Sequence, residues 1–151
     1  MTGHFVLLRA RGARTADASG FTLIEMMVTV AIVAVLATVA LPTYRSTVLR
    51  AQRSDALATL AAHQAIFERC YALNFAYDGS CPALASFPKT SPQGFYSIAL
   101  THSTESSYTL TATPVGSQSK DFDCASISLD QANQRTALNG NGVSQASCWN
   151  P

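Results

Sequence analysis

The chain has 151 residues, of which 48% are hydrophobic and only 13% charged, with a formal net charge of +1. That length leaves room for one domain, and a charge so close to zero gives no sign of an electrostatic nucleic-acid binder. Ser, Thr, Asn and Gln crowd the second half, a composition that suits a secreted, surface-exposed domain better than a cytosolic enzyme.

The first 20 residues carry Arg9, Arg11 and Arg14 against one acid, Asp17, and end in Ser19-Gly20. An apolar run of 21 residues follows, Phe21 to Leu41, interrupted by a single charge, Glu25. An ordinary secretory signal has an apolar stretch of about 7–15 residues closed by an A-x-A-like site. Here the run is longer, and Pro42-Thr43-Tyr44 stands where such a site would be. A bare membrane anchor fits the length, since about 20 apolar residues span a bilayer. Neither reading explains Glu25, because a carboxylate in a hydrocarbon helix costs about 2.5–3.5 kcal/mol and marks function by default. Removing residues 1–20 takes away Arg9, Arg11, Arg14 and Asp17, leaving 7 basic and 8 acidic residues, a net of −1.

Pro42 ends the apolar run, and a kink or local melting is expected there, because proline removes one backbone hydrogen bond and clashes with the preceding turn. Past it, Arg45, Arg50, Arg53 and Asp55 read as solvated positions. Ala56, Leu57, Leu60, Phe67 and Tyr71 recur at roughly helical spacing and make an apolar stripe. A continuous helix over 22–72 would be ~75 Å long. Asn74 to Pro92 reads as loop, with turn signals at Asp78-Gly79, Cys81-Pro82, Phe87-Pro88 and Ser91-Pro92-Gln93-Gly94.

Strands with period-2 alternation follow. Tyr96, Ile98 and Leu100 share one face; Tyr108, Leu110 and Ala112 share a face of the next strand, with Thr109, Thr111 and Thr113 opposite. Ala125, Ile127 and Leu129 form a third, and Gln134 to Leu138 a fourth after a turn at Asp130 to Asn133. The expected fold class is therefore α+β: a long N-terminal helix, half transmembrane and half amphipathic, packed on a small antiparallel sheet of about four strands. The tail from Asn139 to Trp149 is irregular. Cysteines stand at 70, 81, 124 and 148, with no C-x-x-C pair, and in an oxidising compartment two disulfides are their natural use. Three pairings are open. Sequential pairing closes loops with 10 and 23 intervening residues and would stabilise by about 3 kcal/mol for each bond; a Cys124–Cys148 bond would staple the tail to the sheet.

Gly20-Phe21-Thr22-Leu23-Ile24-Glu25, the basic leader and the apolar run together resemble the class III signal of type IV pilins and pseudopilins. The resemblance implies that a prepilin peptidase cuts after Gly20 and N-methylates Phe21. It divides the chain into a cleaved leader (1–20), a transmembrane and fibre-core helix (21–41) and a periplasmic or extracellular pilin domain (42–151). It also implies assembly through Glu25, whose partner in a fibre would be the Phe21 amine of a neighbouring subunit, two charges that are costly to leave single in low dielectric. Pairing of this kind sets axial register as a buried polar residue does in a coiled coil. Ser107 to Pro114, Cys124 before Ser128-Leu129-Asp130-Gln131, Cys148-Trp149 and the stretch from Arg53 to Arg69 are similar to the C-terminal half of PilE-type minor pilins. The pair Cys70 and Cys81 departs from that pattern, which leaves the role of its loop open.

On this resemblance the chain is a non-enzymatic subunit, a minor pilin serving pilus assembly, twitching motility and adhesion. It would sit in the bacterial inner membrane as a single-pass precursor and then in the pilus on the cell surface. Its partners would be other pilin subunits, the peptidase, the assembly machinery and the membrane, with no nucleic acid among them and no cofactor. Two alternatives stand beside it: a pseudopilin of a type II secretion system, and an adhesin or DNA-uptake pilin contacting its ligand through loop 72–94 or the tail. Other chemistry is weaker. His63 and Glu68 are five residues apart and do not share a helix face, Asp121, Asp123 and Asp130 lack the glycine and terminal acid of a calcium loop, and no nucleophile elbow or phosphate loop occurs. The three aspartates read as solvated surface acids, and Trp149 as a core or stapling residue. Arg45, Arg50 and Arg53 stand where they could meet membrane phosphates, or form a solvated face or a subunit contact.

Overall fold

The computed structural model describes residues 20–77, 82 and 86–151. The chain separates into two units, residues 1–38 and 39–151, and the helix α1, Leu23–Asn74, contributes to both.

In the first unit the described residues are almost entirely α1, with large apolar side chains turned outward: Leu23 is 81% exposed, Val35 67% and Leu36 64%. An 18-residue window of mean hydropathy 2.4 in this helix buries nothing within the chain, so it is long and apolar enough to cross a membrane. Its start is defined locally. The backbone N–H of Glu25 donates to Thr22 Oγ1 at 3.2 Å, placing Thr22 at the N-cap and Glu25 three residues on, where a negative side chain also favours the positive end of the helix dipole.

In the second unit α1 runs through Pro42 without interruption of the helix. The sheet is antiparallel, in the order β1 (Lys89–Thr90), β2 (Tyr96–Ser103), β3 (Tyr108–Pro114), β4 (Ser126–Asp130), β5 (Arg135–Leu138). The two-residue β1 is additional to the four strands the alternation predicts; it pairs Lys89 with Ile98 and Thr90 with Ser97. One face of the sheet buries Tyr96, Ile98, Tyr108, Leu110, Ala112, Ile127, Leu129 and Ala137 in one cluster with Ala56, Leu60 and Phe67 of α1. At about 1.5–3 kcal/mol per large apolar side chain, this cluster is the main stabilising term of the domain. The opposite face is lined by hydroxyls, with Thr111 Oγ1 3.1 Å from Thr101 Oγ1 and 3.0 Å from Ser128 Oγ.

Three positions read as solvated in the sequence are not. Arg53 and Asp55 are each only 4% exposed, and so is Asp121. Their charges are answered by partners far away in the chain, which local spacing does not reveal. Short 3-10 turns at Gly116–Lys120 and Phe122–Cys124 follow β3 and bring Asp121 beneath the helix. The tail folds back over the second of these turns: the Gly140 N–H donates to the Phe122 carbonyl at 2.8 Å, and the Phe122 ring occupies the place a Cβ at residue 140 would take.

Candidate functional site

The polar framework of the domain is built from α1 outward. Arg53 donates through Nε to Asp121 Oδ2 and through Nη2 to Asp121 Oδ1, both at 2.7 Å, with side chains 5% and 3% exposed. The hydrogen bond to Asp121 raises the Arg53 pKa further, against burial, so the guanidinium stays charged. Gln118 Nε2 lies within bonding distance of the Leu49 carbonyl (3.0 Å), the Tyr96 hydroxyl (2.9 Å) and Asp121 Oδ2 (3.1 Å), fastening the turn after β3 to the helix. Asp55 accepts from Ser91 Oγ and from the Gln93 N–H at 3.3 Å, and Ser91 Oγ in turn accepts from the Tyr96 N–H at 3.0 Å, which holds the approach to β2.

An aromatic group closes the far end of the helix. Phe67 meets Tyr108 edge-on at 4.8 Å and Phe87 at 5.7 Å, and Tyr71 stacks on Tyr77 at 4.6 Å. The Tyr77 and Tyr108 hydroxyls both donate to the Glu68 carboxylate, at 3.0 and 2.9 Å. Burial first, then these bonds, push the Tyr77 phenol up to about 12 and the Tyr108 phenol above its ordinary value. His63 packs edge-on to Phe87 at 5.2 Å, and burial with the nearby Lys89 charge lowers its pKa.

Two cation–aromatic pairs stand at opposite edges of the sheet. Lys89 of β1 lies 5.6 Å from the Phe87 ring, and Arg135 of β5 lies 5.2 Å from the Trp149 ring. Trp149 is itself held by a 3.1 Å bond from Nε1 to the Thr136 carbonyl, and the tail that carries it is covalently tied by Cys124–Cys148, with both cysteines buried. This settles the open pairing for two of the four cysteines. Cys70 is disulfide-bonded, and Cys81 lies outside the described residues.

The model of the type IV minor pilin ComP, DNA uptake sequence receptor, matches residues 42–128. The chain belongs to this type IV minor pilin family. The prokaryotic N-terminal methylation motif matches residues 16–41, covering Gly20, Phe21 and Glu25. Among curated relatives, the type IV major pilin protein PilE1 of Neisseria gonorrhoeae is 35% identical over 82 residues, 54% of this chain and 38% of that protein. A fimbrial protein of Moraxella nonliquefaciens is 55% identical over 42 residues, 28% of this chain and 27% of that protein. The chain thus spans well under half the length of these relatives. In fold, it resembles the crystal structure of the Neisseria meningitidis non-core minor pilin PilV, with TM-score 0.54 at 18% identity, over 67% of this chain and 97% of that one.

The pilin therefore has the non-enzymatic nature, the long helix and the antiparallel sheet that the sequence resemblance implies. Of the predicted site residues, Gly20, Phe21 and Glu25 are all exposed at the start of α1, Phe21 to 80%. Pro42 lies inside the helix. Sequence reasoning missed the Arg53–Asp121 pair, the Glu68–tyrosine bonds and the two edge cations. Only Thr22 left a readable signal, the T-x-x-E spacing of a capping box.

Proposed function

We propose that this minor pilin is a DNA receptor displayed by a type IV pilus. The reading is supported by the match of residues 42–128 to a family described as a DNA uptake sequence receptor, which favours DNA uptake over motility or adhesion as the purpose of the subunit. Near-neutral charge fits this role in a specific way. Non-specific affinity for duplex DNA comes from cations neutralising phosphates, and a mature chain with 7 basic residues, one of them buried against Asp121, has few to offer. Binding strong enough to capture DNA then has to come from contacts with base edges, which carry sequence preference.

The contact surface we assign is the pair of sheet edges. Lys89 and Arg135 present charge beside the flat rings of Phe87 and Trp149, one in the loop 72–94 region and one beside the tail. With about 4.8 Å between neighbouring strands, four steps from β1 to β5 separate them by about 19 Å. Titrating the full-length chain in detergent against fluorescent duplexes of different sequence tests the reading. Affinity that differs between duplexes by tenfold or more supports it, with Lys89→Ala and Arg135→Ala each narrowing that difference. Equal, weak binding to every duplex rejects it.

Display requires assembly, and for this the reading keeps the roles given to the N-terminus: cleavage after Gly20, methylation of Phe21, residence of 21–41 in the inner membrane, and pairing of Glu25 with a neighbour's Phe21 amine in the fibre. The exposed apolar face of the first unit supports it, because those side chains need lipid or other subunits as cover. Other pilins, the prepilin peptidase and the assembly machinery are the partners it entails.

A further inference from the structure

A cleft of about 690 Å³ lies between α1 and β1, wholly within the second unit. It is polarised along the helix. At one end Asp55 is engaged by Ser91 Oγ and the Gln93 N–H. Eight residues along α1, about 12 Å further on, His63 lines the same cleft, with Lys89 and Thr90 of β1 on the other wall.

His63 and Lys89 are joined through one ring. Phe87 receives His63 edge-on with centroids 5.2 Å apart, and the Lys89 ammonium lies 5.6 Å from the same centroid. The imidazole is half-buried, and neither of its ring nitrogens has a hydrogen-bond partner among the described residues. The acids of α1 on either side are taken: Asp55 by the approach to β2, and Glu68 by the Tyr77 and Tyr108 hydroxyls. Lys89 is the one charged group that acts on His63, and with burial it keeps the ring neutral. A proton on His63 puts a second cation beside Lys89 with no acid free to answer either.

An anion at this end of the cleft removes that repulsion, so anion and proton each favour the other. If Lys89 reads a base edge, the strand that carries the base brings phosphates with it, one for about every 3.4 Å of rise. We infer that His63 links DNA binding to protonation: its imidazole takes up a proton from solvent when a duplex covers the Lys89 edge, and donates a hydrogen bond to a phosphate oxygen of the strand over the cleft. This inference rests on the reading of the chain as a DNA receptor and adds a proton to its binding equilibrium. The bound chain then holds more protons than the free one, so affinity rises as pH falls through the histidine range.

Fluorescence anisotropy of the full-length chain in detergent, with the duplex it prefers at about pH 7.5, tests this. Wild-type affinity is expected to rise about fivefold on going to about pH 5.5, with a salt slope steeper by about one. His63→Gln is expected to abolish both changes, with the duplex preference and far-UV circular dichroism kept. His102→Gln, at an exposed position in β2, is expected to leave both changes in place. Duplex preference with an affinity that ignores pH, or the same pH response in His63→Gln, would overturn the inference and leave the receptor reading standing. Loss of the preference itself in His63→Gln would make the ring a support of the Lys89 edge and overturn the inference too. Equal, weak binding to every duplex would end both. A second measurement uses the wild-type chain alone: the His63 imidazole signal in NMR should titrate at higher pH with the duplex than without it. Inorganic phosphate at the same phosphate concentration should not reproduce that change; if it does, the cleft is a free-phosphate site and the assignment to DNA is wrong.

Discussion

Arg53 on the helix and Asp121, between the two 3-10 turns after β3, meet through two parallel 2.7 Å hydrogen bonds, 68 residues apart in sequence and almost wholly out of water. Gln118 ties the pair into the domain's packing, because its Nε2 lies within bonding distance of Asp121, of the Tyr96 hydroxyl and of the helix backbone at Leu49.

Removing one member of a buried ion pair leaves the other charge without solvent or partner. Asp121→Ala should therefore destabilise the folded chain by about 3–5 kcal/mol. Denaturant unfolding followed by the fluorescence of Trp149 measures this. Glu105→Ala, at an exposed position, serves as the control and should stay within about 0.5 kcal/mol of the parent.

The buried phenols set an alkaline limit. Tyr77 and Tyr96 have folded pKa values pushed up to about 12 from an ordinary 10.0, chiefly by burial. Between those values the unfolded chain has already released the protons that the folded chain keeps, so stability falls as pH rises from 10 towards 12. The sign is reversed for His63, whose lowered pKa makes the folded chain bind fewer protons than the unfolded one below 6.5; its contribution is present above 6.5 and lost on acidification. Unfolding midpoints across the alkaline range, read beside phenolate absorbance, should show the phenolate signal of these two tyrosines appearing together with unfolding.

The staple of the tail is covalent. Cys124 and Cys148 are 24 residues apart, and opening their bond by C124S/C148S should lower stability by about 3 kcal/mol on the chain-entropy model. Hydrogen exchange should localise the loosening to residues 139–150. Because Trp149 and Arg135 form one edge of the assigned DNA surface, duplex affinity should fall in the same variant.

Glu25 has a different signature. It is exposed at the helix start and touches nothing in the core, so Glu25→Val should leave membrane insertion and the unfolding midpoint of the domain unchanged. Sheared fibres from cells making this variant should lack the subunit. Normal incorporation would rule out the pairing with a neighbouring Phe21 amine.

Much of this architecture can be read from the residues. Ala56, Leu60 and Phe67 fall on one helix face, and Tyr96/Ile98, Tyr108/Leu110/Ala112 and Ile127/Leu129 on one sheet face, because 3.6 and 2 are local periods. Strand β1 is invisible for the same reason: two residues have no alternation, and Lys89–Thr90 becomes a strand only by pairing with β2. Arg53, Asp55 and Asp121 look solvated in sequence because their partners are set by tertiary contact. Net charge reports only the non-specific part of nucleic-acid binding and is silent on base recognition, so it does not bear on the proposed DNA contact. Thr22 was hidden by its neighbour: a cap three residues before Glu25 is a helix signal in its own right, and it coexists with the role assigned to that glutamate in assembly.

The most direct measurement is uptake of labelled duplex DNA by cells deleted for this chain, with surface fibres counted on the same cells. A displayed DNA receptor predicts that fibres persist in number while uptake falls, and that the full-length gene restores uptake where the Lys89→Ala/Arg135→Ala gene does not. Undiminished uptake in the deleted cells, or loss of the fibres themselves, would contradict it.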